Sequence, residues 1–92
     1  MPNLSAIASY RLEWRRSATK DLRRIAAVDV PRIVSAAESL ADDPFPLGCT
    51  KLSGSERSYR IRVGDYRILY DVFSGRLLIE VIKVGHRKDV YR

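Results

Sequence analysis

The sequence predicts one α+β domain, in which an N-terminal strand and a two-helix antiparallel pair precede a three- to four-stranded, largely antiparallel sheet. Three observations predict this class. The 92 residues, 46% of them apolar, suffice for one core and not for two. Apolar residues recur at helical spacing in the first half and alternate with polar ones in the second. We therefore expect residues 1–92 to form a single domain, with 1–9 as a loosely ordered leader.

The first half predicts one strand and two helices. Apolar and charged residues alternate from Tyr10 to Trp14, as in a half-buried strand. Ser17 is the expected N-cap of the first helix, and Asp29-Val30-Pro31 the start of the second. The apolar stripe of the first helix is Ala18, Leu22, Ile25 and Ala26, and that of the second is Ile33, Val34, Ala37, Leu40 and Ala41.

The second half predicts a meander that follows a loop through Lys51-Leu52-Ser53-Gly54. Three alternating runs form its strands, and Gly64-Asp65 and Ser74-Gly75 are two-residue loops typical of tight hairpins. The runs are Ser58 to Val63, Tyr66 to Phe73 and Arg76 to Val84. Two-residue loops predict the facing pairs Val63–Tyr66, Ile61–Ile68, Tyr59–Tyr70, Ile68–Val81, Tyr70–Ile79 and Val72–Leu77. One face of the sheet is then apolar or aromatic, so its tyrosines belong to the core.

On the opposite face the same register places Arg62 across from Arg67, with Arg60 two residues along. Like charges facing each other in a ladder cost about 0.2–1 kcal/mol, which predicts an anion between them. The alternative is that Glu80, on the third strand, neutralises the cluster.

Charge concentrates in this half of the chain. The formal net charge is +6, of which residues 1–50 contribute +1 and residues 51–92 contribute +5. Of the 17 basic residues 13 are arginine, which favours bidentate recognition of phosphate. The sequence therefore predicts a phosphate-rich or acidic partner.

Several classes of protein are not expected. No apolar run approaches the length of a membrane span, and residues 1–9 lack the features of a signal peptide, so we expect a cytoplasmic protein. One Cys49 and one histidine provide neither a disulfide nor a zinc set. We expect no cofactor and no metal.

Four segments carry a family resemblance: Lys51-Leu52-Ser53-Gly54, Tyr59-Arg60-Ile61-Arg62, Gly64-Asp65-Tyr66-Arg67-Ile68-Leu69-Tyr70 and Val81-Ile82-Lys83-Val84-Gly85-His86-Arg87-Lys88-Asp89-Val90-Tyr91. At these spacings the chain, from about Tyr10 to its C-terminus, closely resembles the RelE branch of the RelE/ParE toxin superfamily. The resemblance implies a toxin of a type II toxin–antitoxin system, held inactive by a RelB-like antitoxin. It also implies a ribosome-dependent endoribonuclease that cleaves mRNA in the A site and inhibits translation.

The resemblance also implies site residues. Matched by position, the catalytic set is Arg60, Arg62, Arg67, Arg87 and Tyr91, and a wider surface for ribosomal RNA is Lys51, Arg57 and Lys88. Attack by the 2′-hydroxyl needs no metal, and arginines suit the charge that develops on the phosphorane. They neither give nor take a proton easily, and some relatives carry lysine at the position of Arg60, which leaves the general base unassigned.

His86 is the candidate for proton transfer, because only its unperturbed pKa lies near neutrality. Tyr91 is a candidate to stack on a base of the message. Two other functions stay open: a ParE-like inhibitor of DNA gyrase, and a non-catalytic module that binds nucleic acid or antitoxin, with DNA contacted only through the antitoxin complex.

Overall fold

The computed structural model describes residues 9–88, in which two helices pack on one face of a five-stranded sheet. In chain order the elements are β1 (Arg11–Trp14), α1 (Arg16–Leu22), α2 (Val30–Ser39), β2 (Thr50–Lys51), β3 (Ser58–Val63), β4 (Tyr66–Phe73) and β5 (Leu78–His86). The strand order is β1-β5-β4-β3-β2, and only β1 runs parallel to its neighbour. The predicted α+β class is confirmed. Most of the expected leader lies outside the described residues, and so does Tyr91.

The start of α1 differs from the prediction. The chain leaves β1 at Trp14, and the N–H of Arg15 donates to the carbonyl of Val81 (2.9 Å), so that the helix begins at Arg16 with Arg15 at the N-cap position. Ser17 is therefore not the cap. Its hydroxyl donates instead to the carbonyl of Ile82 (2.8 Å), on the edge of β5 that β1 leaves uncovered.

The end of α1 also comes earlier than predicted. The helix stops at Leu22, so Ile25 follows it in a turn, although it still packs against the core. Near this end the Oδ2 of Asp21 accepts the N–H of Val84 (3.0 Å). Since β1 pairs with β5 only as far as Val81, side chains of α1 take over the hydrogen bonds of the β5 edge beyond it.

The second helix forms as predicted, with Asp29 at the N-cap position and Pro31 in the first turn, where its missing N–H costs nothing. Ile33, Ala37 and Leu40 are fully buried and pack on the sheet. Neither helix in residues 9–88 has the length and apolar character that crossing a bilayer requires.

The β3–β4 hairpin has the predicted register. Val63 faces Tyr66, Ile61 faces Ile68 and Tyr59 faces Tyr70. Gly64 has φ 59° and the other turn residue, Asp65, has negative φ, as in a type II′ turn, where glycine takes the first central position.

The β4–β5 register differs from the prediction for two reasons. The connection is not Ser74-Gly75 alone, because a 3₁₀ turn over Ser74–Arg76 is followed by Leu77 in the left-handed region at φ 48°. A bulge beside Leu69 and Tyr70 then adds one residue to β5. The observed pairs are Val72–Ile79, Tyr70–Val81 and Ile68–Val84, in place of Val72–Leu77, Tyr70–Ile79 and Ile68–Val81.

The core lies between the helices and one face of the sheet. Its strand residues are those predicted to face the helices except Leu77, which lies in the connection before β5 and is exposed; the bulge keeps both Val81 and Val84 on the buried side. Tyr70 is fully buried, and its hydroxyl donates to the carbonyl of Pro44 (2.7 Å). Tyr59 and Tyr66 pack against the same cluster, which confirms the prediction that the sheet tyrosines are core residues.

Candidate nucleic-acid interface

The other face of the sheet, here called the outer face, carries the predicted arginines. Neither described helix packs on it, because the side chains that meet the helices all belong to the opposite face. Near the β3–β4 turn one cross-strand row joins Arg62, Arg67 and Gly85. The next row joins Arg60, Leu69 and Lys83. The four cations of these rows, Arg60, Arg62, Arg67 and Lys83, form the basic end of the outer face.

The arginines of the first row have main-chain partners rather than acidic ones. Nε of Arg62 donates to the carbonyl of Gly64 (3.3 Å), and Nη1 of Arg67 donates to the carbonyl of Tyr66 (3.4 Å). Within residues 9–88 neither of them takes part in an ion pair. Arg62 is exposed and Arg67 half-buried, so positive charge collects at this row without an ion pair in the described residues.

The alternative in which Glu80 neutralises the arginines is wrong. Glu80 lies opposite Asp71 and Glu13, and its Oε1 accepts from Nη2 of Arg15 (2.8 Å). These three carboxylates form an acidic row further along the strands. Charge therefore changes along the outer face, from the cations near the β3–β4 turn to a row of carboxylates in which Glu80 and Glu13 are paired with Arg15 and Arg11.

Sequence reasoning missed Lys83. The predicted register placed Glu80 opposite Leu69, whereas the longer β4–β5 connection and the bulge place Lys83 there. The row of Arg60 and Leu69, which was expected to contain the negative Glu80, thus contains the positive Lys83. No pattern in the sequence marks the bulge, because Ile82 and Lys83 fit an alternating strand in either register.

His86 does not lie with the arginines. It faces Tyr66, on the side of the sheet that the helices cover, and the two rings meet edge to face with centroids 5.9 Å apart. Its Nδ1 accepts the N–H of Lys88 (3.3 Å). The imidazole is therefore linked to the arginine site only by the main chain that follows β5.

Tyr66 also ties β4 to the start of α2. Its hydroxyl donates to Oδ2 of Asp29 (3.1 Å), and this hydrogen bond, followed by desolvation, raises the pKa of the phenol above its usual value. The protonated Tyr66 hydroxyl thus links β4, the strand that carries Arg67, to the start of α2.

Arg87 is brought to the β3–β4 turn. It follows the last residue of β5, is exposed, and its N–H donates to the carbonyl of Asp65 (2.8 Å). The neighbouring Lys88 is also exposed. Tyr91, the remaining residue of the predicted catalytic set, lies outside the described residues.

Arg57 lies apart from the basic end, whereas Lys51 lies beside it on the other face of the sheet. Lys51 pairs with Tyr59, the neighbour of Arg60, on the short edge strand β2. The guanidinium of Arg57 lies 5.0 Å from the ring centroid of Phe73, a cation–π contact. Phe73 is six residues from Arg67 along β4, about 20 Å at the rise of a strand. The structure thus separates Arg57, but not Lys51, from the strands of the basic end.

The chemistry available at the basic end is recognition of phosphate. Guanidinium groups offer several fixed donors to phosphate oxygens. Within residues 9–88 no group of three metal-ligating side chains is present, and the chain's single histidine lies on the opposite side of the sheet. The side chains of the basic end are chemically suited to binding negative charge.

Comparisons with known proteins agree with this architecture. A family profile described as "ParE toxin of type II toxin-antitoxin system, parDE" matches residues 12–91. The toxin RelE of Mycobacterium tuberculosis strain H37Rv is 28% identical over 89 residues, which cover 90% of this chain and 87% of that protein.

Two solved structures share the fold at higher than 25% identity. One is the archaeal RelE–RelB complex of Pyrococcus horikoshii OT3, with TM-score 0.76 and 26% identity over 89% of this chain and 99% of the matched chain. The other is the RelB–RelE antitoxin–toxin complex of Methanococcus jannaschii, with TM-score 0.70 and 29% identity over 86% of this chain and 94% of the matched chain.

Proposed function

This chain belongs to the RelE branch of the RelE/ParE superfamily of type II toxins, and we propose that it is an endoribonuclease that cleaves mRNA in the ribosomal A site. The observation that supports this activity best is the Arg62–Arg67 pair on the outer face. Two like charges are held opposite each other, and neither forms an ion pair within residues 9–88, an arrangement that a phosphate group would stabilise.

The proposed reaction is attack of a ribose 2′-hydroxyl on the adjacent phosphodiester. The bond from phosphorus to the 5′-oxygen of the next nucleotide breaks, the 2′-hydroxyl loses its proton, and the departing oxygen gains one. Negative charge accumulates on the phosphorane oxygens in the transition state. Preorganised arginines stabilise that charge without having to reorient, and removing one such donor typically costs 10²–10³ in rate.

We assign the four arginines to this role. Arg62 and Arg67 face each other, Arg60 lies two residues along β3, and the bond between Arg87 and Asp65 brings Arg87 to the same turn. In this proposal Tyr91 stacks on a base of the message. Lys51, Arg57 and Lys88 are assigned to the wider contact with ribosomal RNA.

His86 is assigned a positioning role. Its ring lies on the helix-covered side, against Tyr66, while its Nδ1 holds the N–H of Lys88 and so fixes the turn that carries Arg87. Since an arginine does not transfer protons readily, we propose that the ribosome orients the 2′-hydroxyl for attack. Appreciable cleavage of free RNA would contradict the proposed dependence of the reaction on the ribosome.

The proposed partner is a RelB-like antitoxin. The archaeal relatives with the same fold were crystallised as RelE–RelB complexes. A toxin that acts on ribosomes works in the cytoplasm, which is the location we propose.

The test is to induce the protein and map the 5′ ends of translated messages. We expect growth to stop and new ends to appear at codons in the A site. Arg67→Ala should abolish these ends while antitoxin binding is retained. Lys20→Ala, an exposed change on α1 away from the outer face, is the matched control and should cleave like the parent.

The family profile carries the name of ParE, which favours gyrase inhibition as the second candidate function. The same experiment separates the two. Continued translation accompanied by DNA breaks or supercoiling defects would establish the second function and contradict the first.

A further inference from the structure

Lys83 completes the second row of the basic end with Arg60 and Leu69, and it is the one cation of the basic end that has no role at the scissile phosphate. Arg60 lies on β3 and Lys83 on β5, with the apolar Leu69 between them on β4. Within residues 9–88 Lys83 takes part in no ion pair, and the carboxylate of the nearby Asp21 accepts the N–H of Val84. The bulge in β5 brings this lysine into the row.

We infer that Lys83 forms a second phosphate subsite, which holds the backbone phosphate next to the one at Arg62 and Arg67, with Arg60 lying between the two phosphates and contacting both. The identity of the ligand as a message strand rests on the proposed function. The subsite itself rests on the row and on its charge.

The spacing supports this assignment. Adjacent same-face residues along a strand are about 6.8 Å apart, a step comparable to that between neighbouring phosphates of an extended single strand. Arg60 and Lys83 lie on the two strands that flank β4, about 10 Å apart at the main chain. Both side chains are long enough to converge on one phosphate above Leu69. The exposed surface of Leu69 adds an apolar floor for the ribose.

The next row along the strands does not extend the basic end. It contains Asp71, Glu80 and Glu13, and the carboxylates of Glu80 and Glu13 are paired with Arg15 and Arg11, so the row offers little net positive charge to a third phosphate. We expect a single strand to contact two phosphates at the basic end. Lys83 fixes the position of this second contact.

The test measures binding without cleavage, using a short single-stranded RNA whose 2′-oxygens are methylated. Affinity is measured between about 50 and 200 mM salt for the parent, Lys83→Gln and Lys83→Arg. Each phosphate neutralised on a single strand contributes about 0.7 to the slope of log affinity against log salt. We expect Lys83→Gln to lower this slope by about 0.7 and to weaken binding about fivefold at low salt, as for an exposed ion pair.

Lys83→Arg should restore the slope, and Lys20→Gln should leave it at the parent value. A parental slope and affinity in Lys83→Gln would overturn the subsite, even if the parent cleaves messages on ribosomes. A reduced slope in a protein that cuts no message would uphold the subsite and reject the nuclease.

Discussion

Arg62 lies directly opposite Arg67 across the β3–β4 ladder, and neither guanidinium is paired with a carboxylate in residues 9–88. A cross-strand pair of like charges destabilises a hairpin by about 0.2–1 kcal/mol. The turn that connects the two strands is nonetheless well formed, with Gly64 at positive φ and the Arg62 side chain bonded to its carbonyl. The hairpin therefore holds two cations in an arrangement that costs stability unless an anion lies between them.

The first prediction is that Arg62→Gln raises the free energy of unfolding by at most about 1 kcal/mol, because it removes the like-charge pair but also the exposed hydrogen bond from Nε to the Gly64 carbonyl. The same change should lower message cleavage at least tenfold, since one phosphorane donor is lost. Urea unfolding and ribosome-dependent cleavage measure the two effects. Arg23→Gln, an exposed change beside the end of α1, should alter neither. A less stable Arg62→Gln variant with parental cleavage would contradict the assignment.

The second prediction concerns His86. Because the ring lies behind the sheet against Tyr66, His86→Ala should reduce single-turnover cleavage by less than about tenfold, through a looser Arg87 turn. The pH profile of the reaction between about pH 5.5 and 8 should keep the shape of the parent profile. A loss of roughly 100-fold, accompanied by a changed profile, would show that the imidazole transfers a proton.

The β3–β4 hairpin was predictable from local rules. Alternation set the faces, and Gly64-Asp65 fixed the loop length, so the pairing of Arg62 with Arg67 followed from counting residues. The apolar stripe of α2 was equally clear, because helical spacing and Pro31 identify it without knowledge of its neighbours.

The β4–β5 pairing was not predictable, because its causes are not local. Leu77 adopts a left-handed conformation that bulky residues rarely take, so no turn rule anticipates it. The bulge depends on the need to keep both Val81 and Val84 on the core side. The exchange of Glu80 for Lys83 opposite Leu69 follows from these two features. The real role of Ser17 likewise depends on an edge of β5 that only the assembled sheet reveals.

The third prediction tests the edge of β5 that is hydrogen-bonded by side chains of α1. Asp21→Ala removes the acceptor of the Val84 N–H, which leaves a part-buried donor unsatisfied and should destabilise the protein by about 1–2 kcal/mol. Asp21→Asn keeps a carbonyl oxygen at the same place and should cost less. Amide exchange at Val84 should accelerate in Asp21→Ala. The exposed Asp42→Ala serves as the control, and equal destabilisation by both alanine variants would refute the role of the edge bond.

The fourth prediction concerns alkaline stability and Tyr70. Burial raises the pKa of its phenol well above the usual value of about 10, because the charged form is poorly solvated in the core. The protonated form is therefore favoured by folding. This contribution is complete below about pH 10 and is lost as the pH rises through the raised pKa. Tyr70→Phe should be less stable at neutral pH by about 1 kcal/mol, since the Pro44 carbonyl loses its donor.

Above about pH 10 the difference should shrink, because the variant has no phenol to ionise in the core and its free energy of unfolding declines less steeply. Urea unfolding of both proteins from pH 7 to about pH 11 measures the two slopes. Parallel curves over that range would mean that the ionisation of Tyr70 does not drive alkaline unfolding. In that case the loss of stability at alkaline pH would arise from other groups. One of them is Tyr66, whose hydrogen bond to Asp29 is lost when its phenol ionises.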